Sequence, residues 1–98
     1  MGKKAEEKLE LTYEGLAGYL HANHSVYMVA ADTEYYLTDV NDSYWRAQNV
    51  AVLNEKGHYT DCSELCPTVS EFLSLPFVDG KTIEQVFDGA EFYASVKE

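Results

Sequence analysis

The run from Val26 to Cys62, VYMVAADTEYYLTDVNDSYWRAQNVAVLNEKGHYTDC, alternates apolar and polar residues over several short segments. A period of two places successive side chains on opposite faces, so such segments read as strands of a sheet. The run also holds five of the eight tyrosines, the sole tryptophan and the sole arginine. Ser25 to Ala31 is β-branched, aromatic and apolar and predicts a buried strand. Asp32-Thr33-Glu34 predicts a polar hairpin turn. Tyr35 to Val40 predicts the return strand, with Tyr36, Thr38 and Val40 on one face and Tyr35, Leu37 and Asp39 on the other. Asn41-Asp42-Ser43 predicts the next turn, Tyr44 to Leu53 a third strand, and Asn54 to Gly57 a tight turn with glycine where positive φ costs least. His58 to Cys62 predicts a fourth strand. Strands joined in sequence order make an antiparallel meander.

Helical signals flank this run. Ala5, Leu9, Tyr13, Leu16 and Leu20 recur at helical spacing, and Thr12 is a suitable N-cap, so a helix is expected from about Thr12 to Ala22, ended by Asn23 or His24. Residues 1–10 are expected either to extend it or to fray. After Pro67, Thr68 with Glu71 and Thr82 with Gln85 are capping-box pairs that predict two short helices. Pro76 is expected to stop the first, and Gly89 to end the second as a left-handed C′ residue. Glu91 to Val96 alternates again and predicts a last strand added to an open sheet edge. The whole is expected to be one α+β domain over residues 1–98: an N-terminal helix, an antiparallel meander, two short C-terminal helices and a last strand. A chain of 98 residues buries roughly 65% of its unfolded surface, enough to fold without disulfides or metals.

Charge narrows the partners. Seventeen acids face seven bases, for a net charge of −10. Such a surface repels phosphates and anionic membranes and attracts basic partners. The N-terminal decapeptide MGKKAEEKLE has no apolar signal core, and no apolar run reaches 18 residues. With two cysteines and no disulfide framework, a reduced cytoplasmic setting is expected. A meander leaves two sheet edges open, through which a homodimer could form.

Thr12-Tyr13-Glu14-Gly15-Leu16-Ala17-Gly18-Tyr19-Leu20, followed by Ser25-Val26-Tyr27, resembles the opening of excisionase-type helix-turn-helix domains. The resemblance covers about 20 residues and implies a DNA-reading second helix over residues 25–32. A recognition helix reads phosphates and base edges with Arg or Lys. That segment has neither, and the residues favour a helix followed by a strand. Gly80-Lys81-Thr82 has the tail of a P-loop, but Leu75 stands where its first glycine belongs. Asp39 to Ser43 begins like a calcium loop, but Tyr44 and Val50 occupy the positions of the glycine and the closing acid. Neither pattern is kept.

His21, His24, His58, Cys62 and Cys66 are residue types that zinc prefers. A small zinc- or thiol-dependent protein using His58, Cys62 and Cys66 is therefore one alternative. An acidic mimic of nucleic acid that inhibits a DNA-binding protein is another. Within one strand, His58 and Cys62 would lie about 13 Å apart, too far for a catalytic pair, and no cofactor or catalytic residue is assigned. The leading expectation is a non-enzymatic accessory protein that binds another, basic protein. Tyr35, Tyr36, Asp39, Asp42, Tyr44, Trp45 and Arg46 are its candidate contact residues, because Tyr, Trp and Arg bury large areas at interfaces while keeping a polar tip.

Overall fold

The computed structural model describes residues 3–30, 32–40, 43–53 and 55–96. Along the chain run β1 (Lys3–Lys8), α1 (Tyr13–Asn23), β2 (Ser25–Ala30), β3 (Thr33–Val40), β4 (Tyr44–Leu53), β5 (Tyr59–Asp61), α2 (Val69–Leu73), α3 (Ile83–Val86), a single 3-10 turn (Phe87–Gly89) and β6 (Glu91–Val96). The six strands form one antiparallel sheet in the order β1-β6-β2-β3-β4-β5. The expected meander is present as β2 to β5.

Helix α1 forms where capping and periodicity agree. The Thr12 hydroxyl accepts from the Gly15 N–H at 3.0 Å. Leu16 and Leu20, four residues apart, share one face and are fully buried. His24 adopts a left-handed conformation (φ 65°) and its N–H bonds to the Leu20 carbonyl at 2.8 Å, closing the helix. The chain then enters β2 directly. The second helix implied by the excisionase resemblance is thus a strand here, built from Val26, Tyr27, Met28 and Val29, whose β-branched and aromatic side chains pack well on a pleated surface.

Three expectations are corrected at the sheet. Residues 3–8 neither extend α1 nor fray; they form β1. Their Lys, Glu and Ala content favours a helix in isolation, but pairing with β6 overrides it (Lys3 opposite Val96, Lys8 opposite Tyr93). The charges also suit an edge strand, where lysine discourages pairing with other chains. Strand β6 forms as expected but lies between β1 and β2, with Tyr93 opposite Tyr27 and Phe92 opposite Met28. Thr33 and Glu34 belong to β3 rather than to the turn. Ala30 pairs with Thr33, and Asp32 takes φ 60°, the positive φ that tight hairpins favour.

Both short helices form, with smaller corrections. Thr82 and Gln85 complete a reciprocal capping box. At α2 only one half forms: the Thr68 hydroxyl accepts from the Glu71 N–H at 3.1 Å. Gly89 is not a left-handed cap. The helix tightens into the 3-10 turn, where the Ala90 N–H bonds to the Phe87 carbonyl at 3.1 Å, so that end needs no positive φ. Strand β5 is shorter than expected, and His58 precedes it.

All three helices cover the same sheet face. Leu16 and Leu20 from α1, Val69, Phe72 and Leu73 from α2, and Ile83 from α3 pack with Val26, Met28, Leu37, Ala47 and Phe92 from the strands. No helix among the described residues is long and apolar enough to cross a membrane.

Candidate functional site

The face of the sheet opposite the helices carries a row of side chains in cross-strand register: Lys8, Tyr93, Tyr27, Tyr36, Gln48 and Asp61, one from each strand. Most of the middle of this row is shielded, although no helix covers it. Tyr27 is 1% exposed, Tyr36 9% and Gln48 8%. The shielding comes from the tyrosines themselves and from the β4–β5 hairpin. The Tyr27 and Tyr36 rings lie 4.7 Å apart, and Tyr59 meets Tyr36 at 5.8 Å in an edge-on contact. The Tyr27 and Tyr59 hydroxyls are 3.3 Å apart. Between Asn49 and Leu53, β4 shifts register against β5, so that Leu53 pairs with Tyr59. Tyr59, two residues before Asp61 on the same strand, shares its face, and its ring reaches across β4 to the tyrosines of β2 and β3. Burial, reinforced by the Tyr59 hydroxyl, pushes the Tyr27 phenol far above its ordinary value.

Beside this cluster is a cleft of about 330 Å³, walled by Tyr36, Thr38, Asp39, Arg46, Gln48, His58 and Tyr59. It continues into a hollow of about 360 Å³ that adds Thr60 and Asp61. A small polar network organises it. The Arg46 Nη1 lies 3.2 Å from Asp61 Oδ1 and 3.3 Å from Oδ2. The Gln48 amide donates to the same carboxylate at 3.1 Å and to the Tyr59 carbonyl at 3.3 Å. Thr38 and Thr60 donate their hydroxyls to the His24 and Val52 carbonyls.

The seven residues expected to form one aromatic, acidic face are divided between the two sides of the sheet. Tyr36, Tyr44 and Arg46 are on the helix-free side, and Tyr44 is 45% exposed. Tyr35 and Trp45 alternate to the other side and belong to the core beneath the helices. There Tyr35 meets Phe77 edge-on at 5.4 Å, and Trp45 meets His21 at 5.9 Å. Burial also raises the Tyr35 phenol above its ordinary value. Asp39, next to last in β3, lies on the helix side in register with Trp45, its carboxylate 2.8 Å from His24 Nδ1. Asp42 lies outside the described residues. The correction follows from alternation: adjacent aromatics such as Tyr35-Tyr36 and Tyr44-Trp45 cannot share a face. Tyr27, Gln48, Tyr59 and Asp61 were not expected at the site. Tyr27 and Tyr36 share a face by alternation once the β2–β3 hairpin is placed, but nothing in the sequence announces that β5 brings Tyr59 to them.

His21, His24, Asp39 and Trp45 line a separate hollow of about 430 Å³ between α1, the end of β3 and the start of α2. Among the described residues, no three His, Cys, Asp or Glu side chains cluster closely enough to hold a metal ion. His58, Cys62 and Cys66 are not gathered as a ligand set. Burial raises both thiols above their ordinary value, with Asp61 adding to the effect at Cys62 and Glu71 and Glu64 at Cys66. Raised thiols stay protonated and react slowly, the opposite of what nucleophilic or redox catalysis needs. Comparison with protein-family models, curated proteins and solved structures finds no match for this chain.

Proposed function

We propose that this is a non-enzymatic binding protein whose partner is another protein of basic character, held on the helix-free face of the sheet. The observation that carries this reading is the contrast between the two faces. One is sealed by three helices. The other bears the shielded tyrosine cluster and its cleft, with exposed Tyr44 and Leu53 at the two ends of β4. Those two residues are nine positions apart, a span of at most about 30 Å. A standard protein interface buries roughly 800 Å² on each partner, a patch of similar width. Packed rings that need no further ordering keep the entropic cost of docking low. The net charge of −10 favours a basic partner and gives association that weakens with salt.

The test is capture of a partner at low and high salt by the wild-type chain and by a Tyr44→Ala/Leu53→Ser double variant. Both residues are about half exposed, so the variant keeps its core. A basic protein captured at low salt, released by salt and lost by the double variant supports the reading. Equal capture by wild type and variant moves the interface elsewhere.

A further inference from the structure

Among the described residues, one buried side-chain polar atom lacks a hydrogen-bond partner: Nε of Arg46. A guanidinium does not lose its charge in a protein, so this N–H remains a donor in need of an acceptor. Its setting is unusual within the chain. Arg46 is the sole arginine, and it lines both the cleft and the hollow that continues it. Its present partner holds it loosely. The Nη1–Asp61 contacts of 3.2 and 3.3 Å are longer than a strong charge-assisted bond, and the Asp61 side chain is half exposed. Three neighbouring polar groups are more fully engaged. The Gln48 amide spends its donors on Tyr59 and Asp61, and Thr38 and Thr60 donate to backbone carbonyls. Nε of Arg46 is the buried donor left over.

We infer that the cleft is a binding site for a single carboxylate group, received by Arg46. A planar carboxylate with two acceptor oxygens matches the fork of a guanidinium. To receive it, Arg46 gives up its long contact to Asp61 and turns its Nε and a free Nη edge towards the ligand. Asp61 keeps the Gln48 amide as its partner. Phosphate fits less well, because one arginine in a cleft bordered by Asp39 and Asp61, in a chain of net charge −10, leaves a dianion repelled more than a monoanion. A volume of about 330 Å³ lies at the small end of ligand sites and suits a small carboxylic acid or the carboxyl terminus of a polypeptide. The inference is independent of the basic character proposed for the partner.

The sole arginine makes the test direct, since its side-chain Nε–Hε pair gives one signal in a ¹⁵N-correlated NMR spectrum. The protein is titrated at constant ionic strength with acetate, inorganic phosphate, a short neutral peptide bearing a free carboxyl terminus, and the same peptide as its amide. Acetate and the free-acid peptide are expected to move the Arg46 Nε–Hε signal and the Gln48 side-chain signals saturably. Arg46→Lys, its fold checked by its backbone spectrum, is expected to lose the Gln48 response. A free-acid peptide that binds at least tenfold tighter than acetate identifies a polypeptide terminus as the ligand; similar affinities identify a small acid. The inference is overturned if both carboxylates leave these signals unmoved at tens of millimolar, if the peptide amide acts as strongly as the acid, or if phosphate matches acetate.

Discussion

Replacing Tyr27 by Phe separates two roles of one hydroxyl and reverses its effect with pH. Tyr27 is 1% exposed, and its hydroxyl lies 3.3 Å from that of Tyr59. At neutral pH, loss of that hydrogen bond is expected to cost about 1 kcal/mol. At alkaline pH the balance changes. The Tyr27 phenol is raised in the folded state, so the folded protein holds this proton while the unfolded chain releases it above about pH 10. The unfolded state then binds fewer protons, and stability falls as pH rises. For a folded value well above 11, the loss from this one group is about 0.4 kcal/mol at pH 10 and about 1.4 kcal/mol at pH 11. Tyr27→Phe cannot make this loss. Urea unfolding of both proteins between pH 7 and pH 11 is therefore expected to show wild type the more stable at pH 7, with the difference closing and reversing near pH 11. A difference that stays constant across this range would refute the account of Tyr27 as a buried, neutral phenol under the hairpin.

Phe72 is fully buried and stacks on Phe77 at 5.6 Å; Phe72→Ala is expected to lower stability by about 3–5 kcal/mol, read from the urea midpoint. Thr82→Ala removes one half of the reciprocal capping box at α3 and is expected to cost about 1 kcal/mol by the same assay. Gly80 sits at φ 81° in the turn between Val78 and Lys81, so Gly80→Ala is expected to destabilise by about 1 kcal/mol despite its open surroundings. Because burial raises both thiols, a disulfide reagent at pH 8 is expected to label Cys62 and Cys66 more slowly in the native protein than in urea. Equal rates would contradict their protected state.

The parts of the fold that were legible in the sequence are those set by local chemistry. Thr12, Leu16 and Leu20 announce α1, Thr82 and Gln85 announce α3, and the alternation from Val26 to Asp61 announces the meander. The illegible parts depend on distant partners. Lys3 to Lys8 is composed like a helix and becomes a strand because β6 offers it an edge. The position of β6 inside the sheet follows from that same pairing. At the site, Tyr36, Tyr44 and Arg46 were recognisable as interface residue types. Which of the aromatic neighbours faces the core was not, because shifting a strand by one residue exchanges its faces. Here that choice puts Tyr35 and Trp45 under the helices. Gln48 joins the site opposite Tyr36 in the β3–β4 ladder, and Tyr59 through the placement of β5 beside β4; both are tertiary pairings with no local signature.

The central claim is that the helix-free face binds a basic protein. Its most direct test is salt-dependent capture by three immobilised chains: wild type, the Tyr44→Ala/Leu53→Ser variant, and a Glu84→Lys control altered at an exposed position of α3. The account predicts that wild type and the control capture the same basic protein at low salt, release it at high salt, and that the face variant captures none. Capture by the face variant with loss in the Glu84→Lys control would place binding on the helical side and contradict the account.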